Sequence, residues 1–280
     1  MNAANVLPRR AWLIVGLLWF VGCLNYLDRV MITTMRESIL AEIPMTDAQF
    51  GLLTTVFLLV YAVFSPFAGF VADRFNRSRV IIVSFITWSG VTWLTAHAKS
   101  YEQLLATRAL MGISEACYIP AALALIADYH RTTTRSFANG LHLSGVMVGS
   151  GLGGLGGWIA ERQGWGHAFM LFGQIGIALA LVLILFLRDR PADQMGASSG
   201  GSIPAEAPPV RLGEAMQSLL GNTNFLLALL YWGLMGASAW AVVGWMSTYL
   251  NEQFKLGQGV AGLSATGYYQ TAALAGVLVG

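Results

Sequence analysis

Four ionisable residues stand inside otherwise apolar stretches of the chain: Asp28, Arg29, Arg108 and Glu115. A charge at the centre of a bilayer costs at least about 2.5–3.5 kcal/mol on insertion scales, so such residues face a polar cavity or one another. The set is balanced, two acids against two bases. Arg108 and Glu115 lie two helical turns apart, roughly 10 Å, on one face that also holds Leu104, Met111 and Gly112. Asp28 and Arg29 are adjacent, and their side chains diverge by about 100° on a helix. One of them can then meet the Arg108–Glu115 helix while the other looks into a cavity. Buried ion pairs rarely add stability over apolar residues of similar volume, so a purely static network is an expensive choice. The chemistry open to this set is proton transfer. The proton affinity of a buried carboxylate depends on its burial and on nearby guanidinium groups, and opening the site to one side changes that balance. Asp28 and Glu115 are the proton-coupling candidates. Arg29 and Arg108 are the cations available to a substrate, which points to an anionic group: an organic acid, or an amphiphile with an anionic head.

Composition says what must position these residues. Of 280 residues, 56% are hydrophobic and 11% charged, and the mean hydropathy is +0.61. A soluble domain carries about 25% charged residues, and disorder requires the opposite bias, so an integral membrane protein is expected. The net charge of +2, with no basic stripe, excludes a nucleic-acid partner. Cys23 and Cys117 both sit in apolar runs, which leaves no disulfide framework and no zinc spacing.

A membrane-spanning helix needs about 20 mostly apolar residues. Apolar runs lie at about 11–35, 49–71, 79–98, 102–127, 137–160, 168–187, 224–249 and 259–280, which predicts eight helices in an all-α membrane protein. The first is too long for a cleaved signal peptide, and it carries Asn25, Asp28 and Arg29 where small residues would be required. The last ends in Ala275-Gly276-Val277-Leu278-Val279-Gly280 with no polar flank, as a fragment of a longer protein would. With the N-terminus inside, ten Arg residues fall in inner segments, against four Arg or Lys in outer ones. The positive-inside rule then puts the N-terminus in the cytoplasm, with the chain multi-pass in the cell's inner (plasma) membrane. Between 191 and 222 the sequence is rich in Gly, Ser and Pro, as flexible linkers are. The expected organisation is a six-helix bundle over 1–190, a cytoplasmic linker over 191–222, and the start of a second bundle over 223–280. Six helices, a long inner linker and further helices is the layout of a transporter with two parallel halves.

Three motifs carry a resemblance. The first run reads Asn25-Tyr26-Leu27-Asp28-Arg29, and the loop after the second holds Gly69, Asp73, Arg74 and Arg77. The fourth runs from Arg108 through Gly112 and Glu115-Ala116 to Tyr118, with Ile126-Ala127-Asp128-Tyr129 after it. Over 11–190 the chain resembles the major facilitator superfamily, and within it the spinster-like proteins and the neighbouring anion:cation symporters. The resemblance implies the major facilitator fold, with twelve helices in two six-helix halves, of which this chain would hold the first half and helices seven and eight. It also implies alternating access around a central cavity. The acids at Asp28 and Glu115 would carry protons. Arg29, Arg108, Asn25 and Tyr26 would form the substrate-binding set, with Arg108 as partner of Glu115. Gly69, Asp73, Arg74 and Arg77 would form a cytoplasmic gate, Asp73 capping a helix of the other half while the arginines pair with acids nearby.

The fifth run is dense in glycine, at Gly145, Gly149, Gly151, Gly153, Gly154, Gly156 and Gly157. It lacks the Gly-Pro step of superfamily antiporters, and small residues at four-residue spacing are read as close helix packing. His142 can titrate near physiological pH, but such a residue is more often a packing one. No Gly-x-x-x-x-Gly-Lys-Ser/Thr loop and no His-Glu-x-x-His pair is present, so no enzyme activity, cofactor or metal is expected. The expected function is proton-coupled secondary transport of a small organic anion or anionic amphiphile, by a monomer whose other partners are protons and the bilayer. The alternatives are an uncoupled uniporter and a non-transporting sensor on the same fold.

Overall fold

The computed structural model describes residues 9–130, 133–189 and 212–279. They are almost entirely helical. α1 (Arg9–Met31) runs into a 3-10 turn (Ile32–Thr34), and then come α2 (Arg36–Glu42), α3 (Asp47–Arg74), α4 (Arg77–Thr95), α5 (Tyr101–Ala116), α6 (Tyr118–Tyr129), α7 (Arg135–Leu152), α8 (Gly154–Gln163), α9 (Trp165–Phe186), α10 (Leu212–Leu220), α11 (Thr223–Phe254) and α12 (Gln258–Val279). Capping residues set several starts. At α3 the Thr46 hydroxyl accepts from the Gln49 N–H while Gln49 Oε1 accepts from the Thr46 N–H, a reciprocal capping box. Asn76 caps α4 and Ser100 caps α5 in the simpler one-sided way. Gly164, at φ +87°, turns the chain from α8 into α9 in a conformation that glycine alone adopts without steric cost.

Six segments are long and apolar enough to cross a membrane: Arg9–Thr34, Asp47–Ala72, Tyr101–Tyr129, Arg135–Gln163, Trp165–Phe186 and Thr223–Phe254. Runs 79–98 and 259–280 are helical as well, as α4 and α12, so each of the eight expected apolar runs forms helix. α4 carries Ser78, Ser84, Ser89, Thr92 and Thr95, all buried, so these five hydroxyls face protein, whereas that of Thr87 is exposed. Two spans expected to be continuous are broken. The fourth divides at Cys117, where Pro120 has no N–H to give the Ala116 carbonyl. The fifth divides at Gly153, inside its glycine run.

The chain groups into two compact units, Met1–Asp189 with Gly244–Gly280, and Arg190–Val243, so the boundary falls inside α11. In the first unit α1 packs on α7, α4 on α9 and α5, α3 on α5, and α12 on α8 and α7. The glycine stripe does what its spacing predicts: a methyl on Gly149 would lie 2.6 Å from the Cys23 carbonyl carbon, and one on Gly153 would lie 2.7 Å from Val30 Cβ. Bare backbone therefore lets α7 and α8 lie directly on α1. Two large apolar cores and one small cluster fill this unit. One gathers Ile14, Leu18, Phe85, Trp88, Leu125 and Leu183, and the other Met31, Ile39, Leu53, Leu104 and Phe169. Along α1 the change from one core to the other falls at Asn25–Arg29, and a small third cluster of Phe57, Val91 and Met111 lies beside the charged residues. In the second unit the described part of α11 is exposed and apolar, with Leu227 at 60% and Trp232 at 70% exposure. Of the expected linker, 191–211 lies outside the described residues, and 212–220 is helix α10.

Candidate functional site

Glu115 stands midway along Tyr101–Tyr129 and is fully buried. Its Oε2 accepts from Arg29 Nε at 2.7 Å and from Asn25 Nδ2 at 2.7 Å. One helical turn of α1 therefore supplies both donors, since residues 25 and 29 are four apart and share a face. Arg29 is also wrapped in aromatic rings: its guanidinium carbon lies 4.8 Å from the Tyr26 centroid, 5.1 Å from Phe57 and 4.5 Å from Tyr61. Arg108 lies against the same Phe57 ring at 5.1 Å, and its Nη1 donates to Met111 Sδ at 3.0 Å. Asp28 points the other way, and its Oδ2 accepts from Thr92 Oγ1 on α4 at 3.0 Å. Tyr26 and Tyr61 are half-buried, whereas Asn25, Asp28, Arg29, Arg108 and Glu115 are all buried.

The cluster is charge-balanced but only partly bonded. Asn25 Oδ1, Asp28 Oδ1, Arg29 Nη2, Arg108 Nε and Nη2, and Glu115 Oε1 have no hydrogen-bond partner among the described residues. Buried polar groups are hydrogen-bonded in the great majority of cases, and each exception asks for an explanation. A static network built for stability would close these bonds. Unused donors on two guanidinium groups and unused acceptors on two carboxylates are what a site needs to exchange protons and hold an anion.

The divergence of Asp28 and Arg29 is as the sequence predicts, and Arg29 is the one that meets α5. Of the two arginines expected near Glu115, Arg29 is the one that bonds it, while Arg108, the partner the resemblance implies, makes no hydrogen bond to it among the described residues. Glu115 and Arg108 share a helix face two turns apart, and the Arg108 guanidinium goes to Met111 and Phe57 instead of reaching Glu115. Three residues of the cluster went unread in the sequence. Phe57 and Tyr61 are spaced four apart, which marks a common face of α3, and Thr92 is one hydroxyl among several on α4. None of the three carries charge, so nothing in the sequence alone sets them apart. His142 is fully buried, with its ring against Gly22 and 5.8 Å from that of Tyr118. It lies between α7 and α1, and neither ring nitrogen has a hydrogen-bond partner among the described residues.

The two ends of the first unit are tied differently. At one end, Arg77 pairs with Asp128 across the start of α4 and the end of α6. The Ser78 N–H and hydroxyl both donate to Asp189 Oδ1, at 2.8 and 2.5 Å. Arg74 has no acid partner among the described residues, and its guanidinium lies 4.2 Å from the Phe70 ring centroid. A methyl on Gly69 would meet nothing within 4 Å, and the Asp73 side chain lies outside what the structure describes. At the other end, α2 and α8 are bonded to the end of α11 and to α12. Arg36 pairs with Asp47 and lies 3.6 Å from Glu252. Asn251 donates to Glu37 at 3.1 Å, Gln258 Nε2 donates to Ser38 Oγ at 2.7 Å, and the Gly259 N–H donates to Glu161 at 3.1 Å. Thr266 Oγ1 donates to the Gly151 carbonyl at 2.7 Å.

Three known proteins are similar to this chain. Protein spinster homolog 3 of Danio rerio is 30% identical over 260 residues, covering 90% of this chain and 50% of the relative. The Sphingosine-1-phosphate transporter SPNS2 of Danio rerio is 28% identical over 253 residues, 89% of this chain and 49% of the relative. The crystal structure of a bacterial homolog to the human lysosomal transporter spinster, in an inward-facing and unoccupied conformation, aligns with a TM-score of 0.80 at 26% identity, covering 98% of this chain and 62% of that one. The chain thus spans about half the length of the curated relatives it matches. The Major Facilitator Superfamily profile matches residues 18–280, and the matched stretch includes the buried charged cluster of Asp28, Arg29, Arg108 and Glu115. This chain belongs to the major facilitator superfamily.

Proposed function

We propose that the protein is a proton-coupled secondary transporter of a small organic anion or an anionic amphiphile, working by alternating access as a monomer in the cell's inner membrane with its N-terminus in the cytoplasm. The single observation that carries this reading is the Glu115–Arg29 bond beside unused donors on Arg29 and Arg108. When Glu115 takes a proton it loses its charge and its hold on Arg29 Nε. Arg29 and Arg108 then have two cationic forks facing one residual acid, Asp28, and an anion restores the balance. Release of the proton to the other side lets Glu115 reclaim Arg29 and expel the anion. Asn25 holds the carboxylate in place, and Tyr26 stacks under the arginine it delivers.

Supporting observations come from both ends. The bonds from Arg36, Glu37, Ser38 and Glu161 to the end of α11 and to α12 close the end opposite Arg74 and Arg77, the arrangement that an inward-facing carrier requires. Gly69, Asp73, Arg74 and Arg77 then belong to the cytoplasmic gate. Residues 1–190 form the first half, 191–222 the connection and 223–280 the start of the second half. The relative named for sphingosine-1-phosphate favours an amphiphile with an anionic head, because two arginines backed by aromatic rings suit both parts of such a molecule.

The test uses the complete gene product in vesicles under a pH gradient, with a panel of small organic acids, gluconate among them, set beside lysophospholipids and sphingosine-1-phosphate. For the anion that accumulates, Glu115→Gln keeps shape and hydrogen bonding but removes the titrating charge. The variant is expected to lose uphill uptake and to retain counterflow exchange. Gradient-driven accumulation unchanged from the parent would overturn the assignment.

A further inference from the structure

A groove opens on the surface of the first unit between α3 and α4, with α5 and the Cys117 break as its floor, and it encloses about 400 Å³. That is within the range of about 300–1,000 Å³ typical of small-molecule sites. Its walls are apolar and unusually open: Phe75 and Val83 are each 64% exposed, and Ile113 is 41% exposed. The hydroxyls that line it are already satisfied: Ser84 donates to the Ser114 carbonyl, Ser114 to the Met111 carbonyl and Thr87 to the Val83 carbonyl. The groove therefore asks for an apolar occupant along its length and offers it no hydrogen bond there.

One rim differs. Arg79 stands at the mouth, exposed, in the first turn of α4. The neighbouring arginines are committed elsewhere, Arg77 to Asp128 and Arg74 to the Phe70 ring. The Arg79 guanidinium has no ion pair among the described residues. In a chain that crosses a bilayer, an outward-facing apolar groove meets acyl chains, and a basic residue at its end meets headgroups, where it favours anionic ones. We propose that this groove binds one anionic phospholipid, with an acyl chain between α3 and α4 and its phosphate on Arg79. The site is separate from the Arg29–Glu115 cluster, although its floor is the helix that carries Glu115.

The test is photo-crosslinking with a diazirine-bearing phosphatidylglycerol in nanodiscs of phosphatidylcholine, using the complete gene product and mapping the labelled peptides by mass spectrometry. Label is expected on the peptides holding Val83 and Ile113 through Cys117, displaced by unlabelled phosphatidylglycerol but not by phosphatidylcholine or inorganic phosphate. Arg79→Gln is expected to lower it at least fivefold, Arg79→Lys to retain most of it, and Arg162→Gln to leave it unchanged. Label spread evenly over the lipid-facing helices, label absent from the groove, an Arg79→Gln variant that labels like the parent, or displacement by inorganic phosphate alone would each overturn the proposal.

Discussion

At the scale of single residues, Arg29 has one strong bond and three aromatic neighbours. The Glu115 carboxylate fixes its Nε, while Tyr26, Phe57 and Tyr61 surround the guanidinium at 4.5–5.1 Å. Cation–π contacts are worth about 0.5–2 kcal/mol each, more when desolvated. They hold the planar fork in one orientation even when Glu115 is protonated and lets go. Tyr61 is thus a positioning residue, acting through Arg29. Tyr61→Ala is expected to weaken apparent affinity for the transported anion by about two- to thirtyfold, the equivalent of one such contact, with little change in maximal rate. Tyr61→Phe keeps the ring and is expected to behave like the parent. The KM-against-kcat split in vesicle uptake checks this: a loss in Tyr61→Phe equal to that in Tyr61→Ala would place the role on the hydroxyl instead. The charged members of the cluster were legible in the sequence because a charge inside an apolar run has few explanations. Tyr61, Phe57 and Thr92 were not, because an aromatic or hydroxyl residue on a membrane helix has many. The sequence narrowed the partner of Glu115 to Arg108 or Arg29, and the choice between them turns on how α1 lies against α5.

At the scale of elements, glycine decides how close α1 and α7 come. Gly149 leaves no space for a side chain above the Cys23 backbone, whereas a methyl on Gly69 would meet nothing. Gly149→Leu must push the helices apart or distort them, and overpacking of this kind costs about 1–3 kcal/mol. Because α1 carries Asn25, Asp28 and Arg29, the variant is also expected to displace the donors of Glu115. A clear fall in the melting temperature of the detergent-solubilised protein is expected for Gly149→Leu, and none for Gly69→Ala, where the change even adds helix propensity. Equal melting of Gly149→Leu and the parent would show that α1 and α7 are not in contact in the protein. This packing was readable from the four-residue spacing of small residues. The breaks at Cys117 and Gly153 were not, since a hydropathy run carries no information on backbone hydrogen bonds, and proline and glycine in membrane helices are often accommodated without a break, as Pro66 is within α3. The polarity of α4 was likewise hidden: in a run averaged over twenty residues, five buried hydroxyls do not look different from hydroxyls facing a pore.

At the scale of the whole molecule, the account rests on one claim, that movement of an anion is tied to movement of a proton through Glu115. On the proposed function, the buried charged cluster, with the Arg36 end bonded to α11 and α12, would hold the anion and the proton in one place and release them together. A uniporter on the same fold would carry the anion without the proton. The most direct measurement is the pH inside vesicles loaded with a fluorescent pH indicator, with no gradient imposed, when the anion selected by the uptake screen is added outside. The account predicts inward acidification that tracks entry of the labelled anion in the parent protein and disappears in Glu115→Gln. Entry of the anion into parent vesicles at a constant internal pH would contradict it.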